Sequence, residues 1–137
     1  MLTKNEIVLI KKSWSSIKKI NVAVIGDIFY SKLFFDNPEL RKMFPEDMEG
    51  QYHKLLDMLN TIIERLEKID ELKGDIVAMA KRHEDYGVKP HHYNLVGMAL
   101  LWTLQKGLGA EWTDDVRSAW VNCYAILSGT MITVTVK

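Results

Sequence analysis

Only one of the 137 residues is a cysteine, Cys123. A single thiol excludes an internal disulfide and any cluster of thiolate-bound metal within one chain. Nor is either sign of charge in excess: 18 Lys+Arg balance 18 Asp+Glu. The zero net charge removes the long-range attraction toward nucleic acid or an anionic membrane surface. No apolar run approaches the roughly 20 residues that a membrane-spanning helix needs. The opening MLTKNEIVLIKKSW has no useful signal-peptide apolar segment and no cleavage site, so the expected location is the cytoplasm. Also missing are a phosphate-cradling glycine loop, a nucleophile–base motif, HExxH, internal repeats and a linker.

What is present is soluble, globular and helical. The composition, 47% hydrophobic and 26% charged, is that of a packed chain rather than a disordered one. One domain spanning residues 1–137 is expected, long enough to bury about two-thirds of its unfolded surface. The periodicity predicts helices almost throughout, hence an all-α fold. Thr3 and Glu6 form a capping box ahead of the stripe Ile7, Ile10, Trp14, Ile17. A second helix, from about Asn21 to Phe35, buries Ile25, Ile28, Phe29, Leu33 and Phe34, and Tyr30 can face inward with them. Asn37-Pro38 ends it, and Pro38 suits the start of a short helix reaching Phe44.

The next helix, from near Met48, carries the stripe Gln51, Leu55, Leu59, Ile62, Leu66, with a polar residue at its head. His53 lies about 200° around that helix from Gln51 and faces solvent or the flank. Ile69 to Gly74 reads as a polar connection. Two helices follow: one closed by His83 and stopped by Gly87, the other opened by Pro90 and carrying Tyr93, Val96, Gly97, Leu100, Leu101, Leu104 and Leu108. The last helix has Thr113 as N-cap and the stripe Val116, Trp120, Cys123, Tyr124, Leu127, Met131. The alternating tail Ile132–Val136 has no strand to pair with and reads as a helix end.

His83 is the candidate that matters most. Ile76, Ala80 and His83 stand at i, i+4 and i+7, which aims the imidazole where the apolar side chains point. A histidine placed so can be a hydrogen-bonded core residue, or it can hold a haem iron from one side. The adjacent His91 and His92 do not share a helix face and read as solvated rather than as a metal pair. Cys123 reads as inert core and the Glu64–Lys68 charge run as a solvated face.

Tyr30, Pro38 and Phe44, then Gln51 with Leu55, then Arg82-His83 followed by Pro90, Tyr93-Asn94-Leu95-Val96-Gly97, carry a resemblance along the whole chain. The sequence resembles a globin, in particular a bacterial single-domain globin similar to the globin part of flavohaemoglobins. That resemblance implies the globin fold, a three-on-three helical sandwich with haem b (iron protoporphyrin IX) between the Gln51 and His83 helices. It implies His83 as the proximal iron ligand, Phe44 as the residue that wedges the haem, and Tyr30 with Gln51 as the distal pair that hydrogen-bonds a bound ligand. It further implies Leu55 as the distal wall and Val88 as a haem contact. Lys54 and Arg82 would reach the propionates, and Tyr93 would stand beside the proximal histidine. Without a CxxCH motif, the haem is expected to be held noncovalently. The family also places a glutamate near the C-terminus, where this sequence has Thr135, a departure that argues against flavohaemoglobin-like peroxidase or strong dioxygenase chemistry.

The expected function is reversible binding of oxygen, nitric oxide or carbon monoxide at the histidine-ligated iron. Haem needs an apolar slot, a neutral imidazole and a dry distal side, and bound oxygen is stabilised by a phenol and an amide donor. One alternative is nitric-oxide dioxygenation with an external reductase, since the chain ends at Lys137 without flavin or nicotinamide domains. Another is a haem-based gas sensor acting through a partner. A haem-free stress-sensor or phycobilisome-like globin fits less well, because His83 points inward.

Overall fold

The computed structural model describes residues 2–135, with side chains through Thr133. Six α-helices run in order: α1 (Lys4–Ile17), α2 (Val22–Asp36), α3 (Glu49–Glu64), α4 (Lys73–Asp85), α5 (Pro90–Leu108) and α6 (Asp114–Thr135). Short 3-10 turns occupy Pro38–Met43, Leu66–Leu72 and Gly109–Glu111. Among the described residues there is no strand, and no helix is long and apolar enough to cross a membrane.

Local chemistry sets the helix ends. Thr3 Oγ1 accepts from Glu6 N–H at 3.0 Å while Glu6 Oε1 accepts from Thr3 N–H at 2.9 Å, the expected reciprocal box. The Asn21 side chain caps α2 and Thr113 caps α6. Gly87, at φ +88°, lies just beyond α4 in the left-handed region that lets the chain turn. Pro90 then stands at the first turn of α5.

Two corrections concern connections. Ile69–Gly74 is not a polar linker: 3-10 structure runs through Leu72 and α4 already begins at Lys73. Leu66 and Leu72 are both buried there, so two apolar anchors spaced six apart pull an otherwise charged segment onto the core. His92 is not simply solvated. Its Nδ1 accepts the Lys89 N–H at 2.9 Å and so satisfies a backbone donor at the start of α5.

Packing follows the predicted stripes. Ile10, Trp14, Ile17, Phe29, Leu33, Leu104 and Trp120 are among the most deeply buried side chains. Trp120 Nε1 donates to Ser13 Oγ at 2.9 Å and Trp14 Nε1 to Asn60 Oδ1 at 3.1 Å, tying α1 to α6 and to α3 with buried or half-buried polar bonds. α2 packs on α3 and α5, while α6 packs on α1 and α4. α3 and α4 both pack on the 3-10 segment between them yet share no substantial contact with each other. Gln51 and Leu55 on α3 and His83 on α4 are all half-buried. The tail is helical as far as Thr135; that residue's side chain, and the Val136 end of the expected tail, lie outside the described residues.

Candidate functional site

His83 sits in the last turn of α4, one turn past Met79. Its Nδ1 lies 2.7 Å from the Met79 carbonyl oxygen. A carbonyl can only accept, so Nδ1 is the donor, and in the neutral ring this leaves the lone pair on Nε2. Among the described residues, no protein group bonds Nε2. Val88 N–H donates to the His83 carbonyl at 3.0 Å and Tyr86 N–H to the same oxygen at 3.1 Å, closing the helix end around the ring. Tyr93, buried in the first turn of α5, stacks near the imidazole with ring centroids 6.4 Å apart and planes at 27°.

Tyr93 is itself positioned from behind. Tyr124 Oη donates to the Tyr93 carbonyl at 2.6 Å. Gly97, one turn on from Tyr93, makes room for this tyrosine: a Cβ there would stand 2.6 Å from Tyr124 Cε2. Burial pushes the Tyr124 and Tyr93 phenols above their ordinary range, so both stay neutral.

The second group of candidates gathers around Tyr30. Its buried ring meets Phe29 at 4.8 Å, Phe44 at 5.5 Å, Tyr52 at 5.8 Å and Phe34 at 5.9 Å between centroids. Burial pushes the Tyr30 phenol up to about 12, and contact with the Gln51 side chain pulls the other way. The two polar candidates are therefore neighbours, as each needs to be on an otherwise apolar face. Phe44 also packs against Phe34, with centroids at 5.3 Å. The turn that carries it is held by Arg41, whose guanidinium donates to the carbonyls of Phe44, Pro45 and Glu46 and lies over the Phe34 ring.

Leu55 and Val88 pack half-buried on the core, whereas Lys54 and Arg82 are exposed and make no ion pair among the described residues. His53 is exposed, and no group of three His, Cys, Asp or Glu among the described residues could hold a metal by itself. Burial pushes Cys123 up to about 12, which makes it the inert core thiol expected. An open groove between α1 and the end of α3, lined by Lys11, Lys18, Ile63 and Glu64, lies away from His83.

Sequence reasoning missed Tyr52, Gly26, Arg41 and Met79. Gly26 and Tyr52 meet only across two helices: a Cβ on Gly26 would fall 2.5 Å from Tyr52 Cβ and Cγ. The one signal available was a glycine inside an apolar helix stripe, which often marks close approach.

The Globin family model matches residues 27–131. Neuroglobin of Tetraodon nigroviridis is 30% identical over 138 residues, spanning 90% of this chain and 86% of that protein. The flavohemoprotein of Bacillus subtilis is 29% identical over 136 residues, spanning 96% of this chain but only 34% of that protein. In structure, a bacterial globin from Campylobacter jejuni superposes with a TM-score of 0.83 at 24% identity, covering 96% of this chain and 95% of that one. The match over most of its length means that this chain belongs to the globin family, whose members bind haem.

Proposed function

We propose that the chain is a gas-binding globin, a single domain holding haem b noncovalently, with His83 as the iron ligand and Tyr30 and Gln51 as hydrogen-bond donors to oxygen. The observation that carries this reading is the His83–Met79 bond. A metal-ligating histidine usually donates its other ring N–H to a carbonyl or carboxylate, which fixes both tautomer and ring orientation. His83 is prepared in that form, with Nε2 unpartnered. The surroundings suit a flat apolar group with anionic edges. Phe44, Leu55, Val88 and Tyr93 offer apolar walls, α3 and α4 stand apart, and the unpaired Lys54 and Arg82 can meet propionates.

Haem, when bound, supplies the iron at which oxygen, nitric oxide or carbon monoxide binds reversibly. The chain's own residues then discriminate. The Tyr30 phenol, protonated at any pH well below about 12, keeps its donor hydrogen. The Gln51 amide offers a second donor on a longer, more mobile side chain. A hydrogen bond to a charged acceptor contributes roughly 1.5–3 kcal/mol, and each 1.36 kcal/mol is about tenfold in rate. Tyr30→Phe is therefore expected to speed oxygen dissociation by about ten- to a hundredfold. Gln51→Leu acts in the same direction with smaller size, and carbon monoxide, a poor acceptor, responds much less. Stopped-flow release of both gases from the three proteins tests this; equal oxygen release from all three would remove the distal pair from the account.

Similarity to a flavohemoprotein over 34% of that protein's length supports a second reading, nitric-oxide dioxygenation fed by a separate reductase. Multiple turnover of nitric oxide to nitrate only when a reductase is added would support it; a single turnover in both cases would not.

A further inference from the structure

Tyr52 has no part in the gas-binding reading, yet its place is built. The half-buried ring lies on Tyr30 with centroids 5.8 Å apart and planes at 26°. Gly26 provides the space, since any Cβ there would collide with Tyr52 Cβ and Cγ at 2.5 Å. At its outer end the Tyr52 hydroxyl donates to Asp27 Oδ1 at 3.4 Å, a long contact, and Ser31 donates to the same oxygen at 3.2 Å. Among the described residues, this is the one tyrosine hydroxyl hydrogen-bonded to a carboxylate. Tyr86 is 64% exposed with its ring 6.2 Å from His83, and Tyr93 is buried at 6.4 Å, but neither hydroxyl has such a partner.

That difference matters for redox chemistry. A phenol loses an electron readily only when its proton leaves as well, because the oxidised phenol is a strong acid. Tyr52 has a carboxylate to take the proton and an aromatic neighbour leading inward.

We propose that Tyr30 and Tyr52 form an electron path from the distal pocket to the surface, and that Tyr52 is a peroxide-driven oxidation site for small one-electron reductants such as ascorbate. The proposal rests on the haem-binding reading. Haem, when bound, would supply the two electrons that hydrogen peroxide, the oxidant, needs with two protons from solvent to become water. Tyr52 replaces one of those electrons by passing its own inward through the Tyr30 ring. Its phenolic proton moves to the Asp27 carboxylate, leaving a neutral phenoxyl. Ascorbate then gives one electron to Tyr52, Asp27 returns the proton, and the proton that ascorbate sheds goes to solvent. A second ascorbate electron completes the reduction.

The test uses the full chain loaded with haem, its optical spectrum recorded first, so that a failure to bind haem is distinguished from a failure of the path. The ferric protein is mixed with peroxide, frozen for electron paramagnetic resonance, and in parallel treated with a spin trap and digested for mass spectrometry. The expected result is a tyrosyl signal with the adduct on Tyr52. Tyr52→Phe, which keeps the ring and its stacking, removes that adduct and lowers ascorbate-dependent peroxide consumption about tenfold. Asp27→Asn lowers it severalfold with the adduct still on Tyr52. An adduct on Tyr86 or Tyr93 in the unaltered protein, or wild-type ascorbate consumption in Tyr52→Phe, would overturn the proposal.

Discussion

On the proposed proximal side, His83 is oriented by its own helix: the acceptor for its Nδ1 is the Met79 carbonyl one turn back, and its end of the helix is closed by the next few residues. On the proposed distal side, Tyr30 meets Phe29 and Phe34 of its own helix but also Phe44 from the turn after the 3-10 helix and Tyr52 from α3. The iron ligand proposed here is set by local geometry, the donors by the packing of one helix on another. Local geometry survives small movements of the rest of the chain. A packed cluster does not, because a shift of one ring is passed to its neighbours.

Substitutions on the two sides should therefore differ in reach. The largest effect on ligand kinetics is the acceleration of oxygen release in Tyr30→Phe described above. Next comes Gly26→Ala. The added methyl would press on the root of the Tyr52 side chain, which cannot swing away, so α2 and α3 must separate. Overpacking of this kind costs about 1–3 kcal/mol, to be read from the denaturant midpoint. Because the shift passes to Tyr30, oxygen release should quicken as well.

Gly97→Ala is the matching change on the proximal side. Here the methyl meets the edge of the Tyr124 ring, whose hydroxyl is bonded to Tyr93, so the ring can yield by giving up that bond. A loss of about 1 kcal/mol is expected, the worth of one such hydrogen bond, with oxygen release nearly unchanged. If Gly97→Ala altered oxygen release more than Gly26→Ala, the division between a local and a packed side would fail.

The smallest effect concerns the start of α5. Burial first, then the neighbouring His91, holds His92 below its ordinary value of 6.5. The unfolded chain therefore binds the proton more readily than the folded one, and stability falls as pH drops. The contribution is fully present above about 6.5 and is lost as pH falls through the lower folded value. His92→Gln keeps an acceptor for the Lys89 N–H but does not titrate. Its denaturant midpoint should decline less than the parent's on acidification; parallel declines would assign the pH dependence to other groups.

This same division explains what could be read from the sequence. The Thr3–Glu6 box, the Thr113 cap and the Gly87 stop depend on residues a turn apart, and each is found in the fold. The Tyr52–Gly26 approach and the Arg41 clamp depend on which segments meet, which no single stripe reveals. The Ile69–Gly74 segment misled because its charges outnumber its apolar residues; Leu66 and Leu72, at its edges, decide its conformation. His92 misled because capping is a backbone matter that side-chain polarity does not announce.

The central claim is that His83 ligates the iron, and resonance Raman spectroscopy of the ferrous protein tests it most directly. An iron–imidazole stretching band is predicted for the haem-loaded protein. It should vanish in His83→Gly, with weakened haem retention, and return when free imidazole is added. Persistence of the band in His83→Gly, or its loss in His53→Gly instead, would contradict the account.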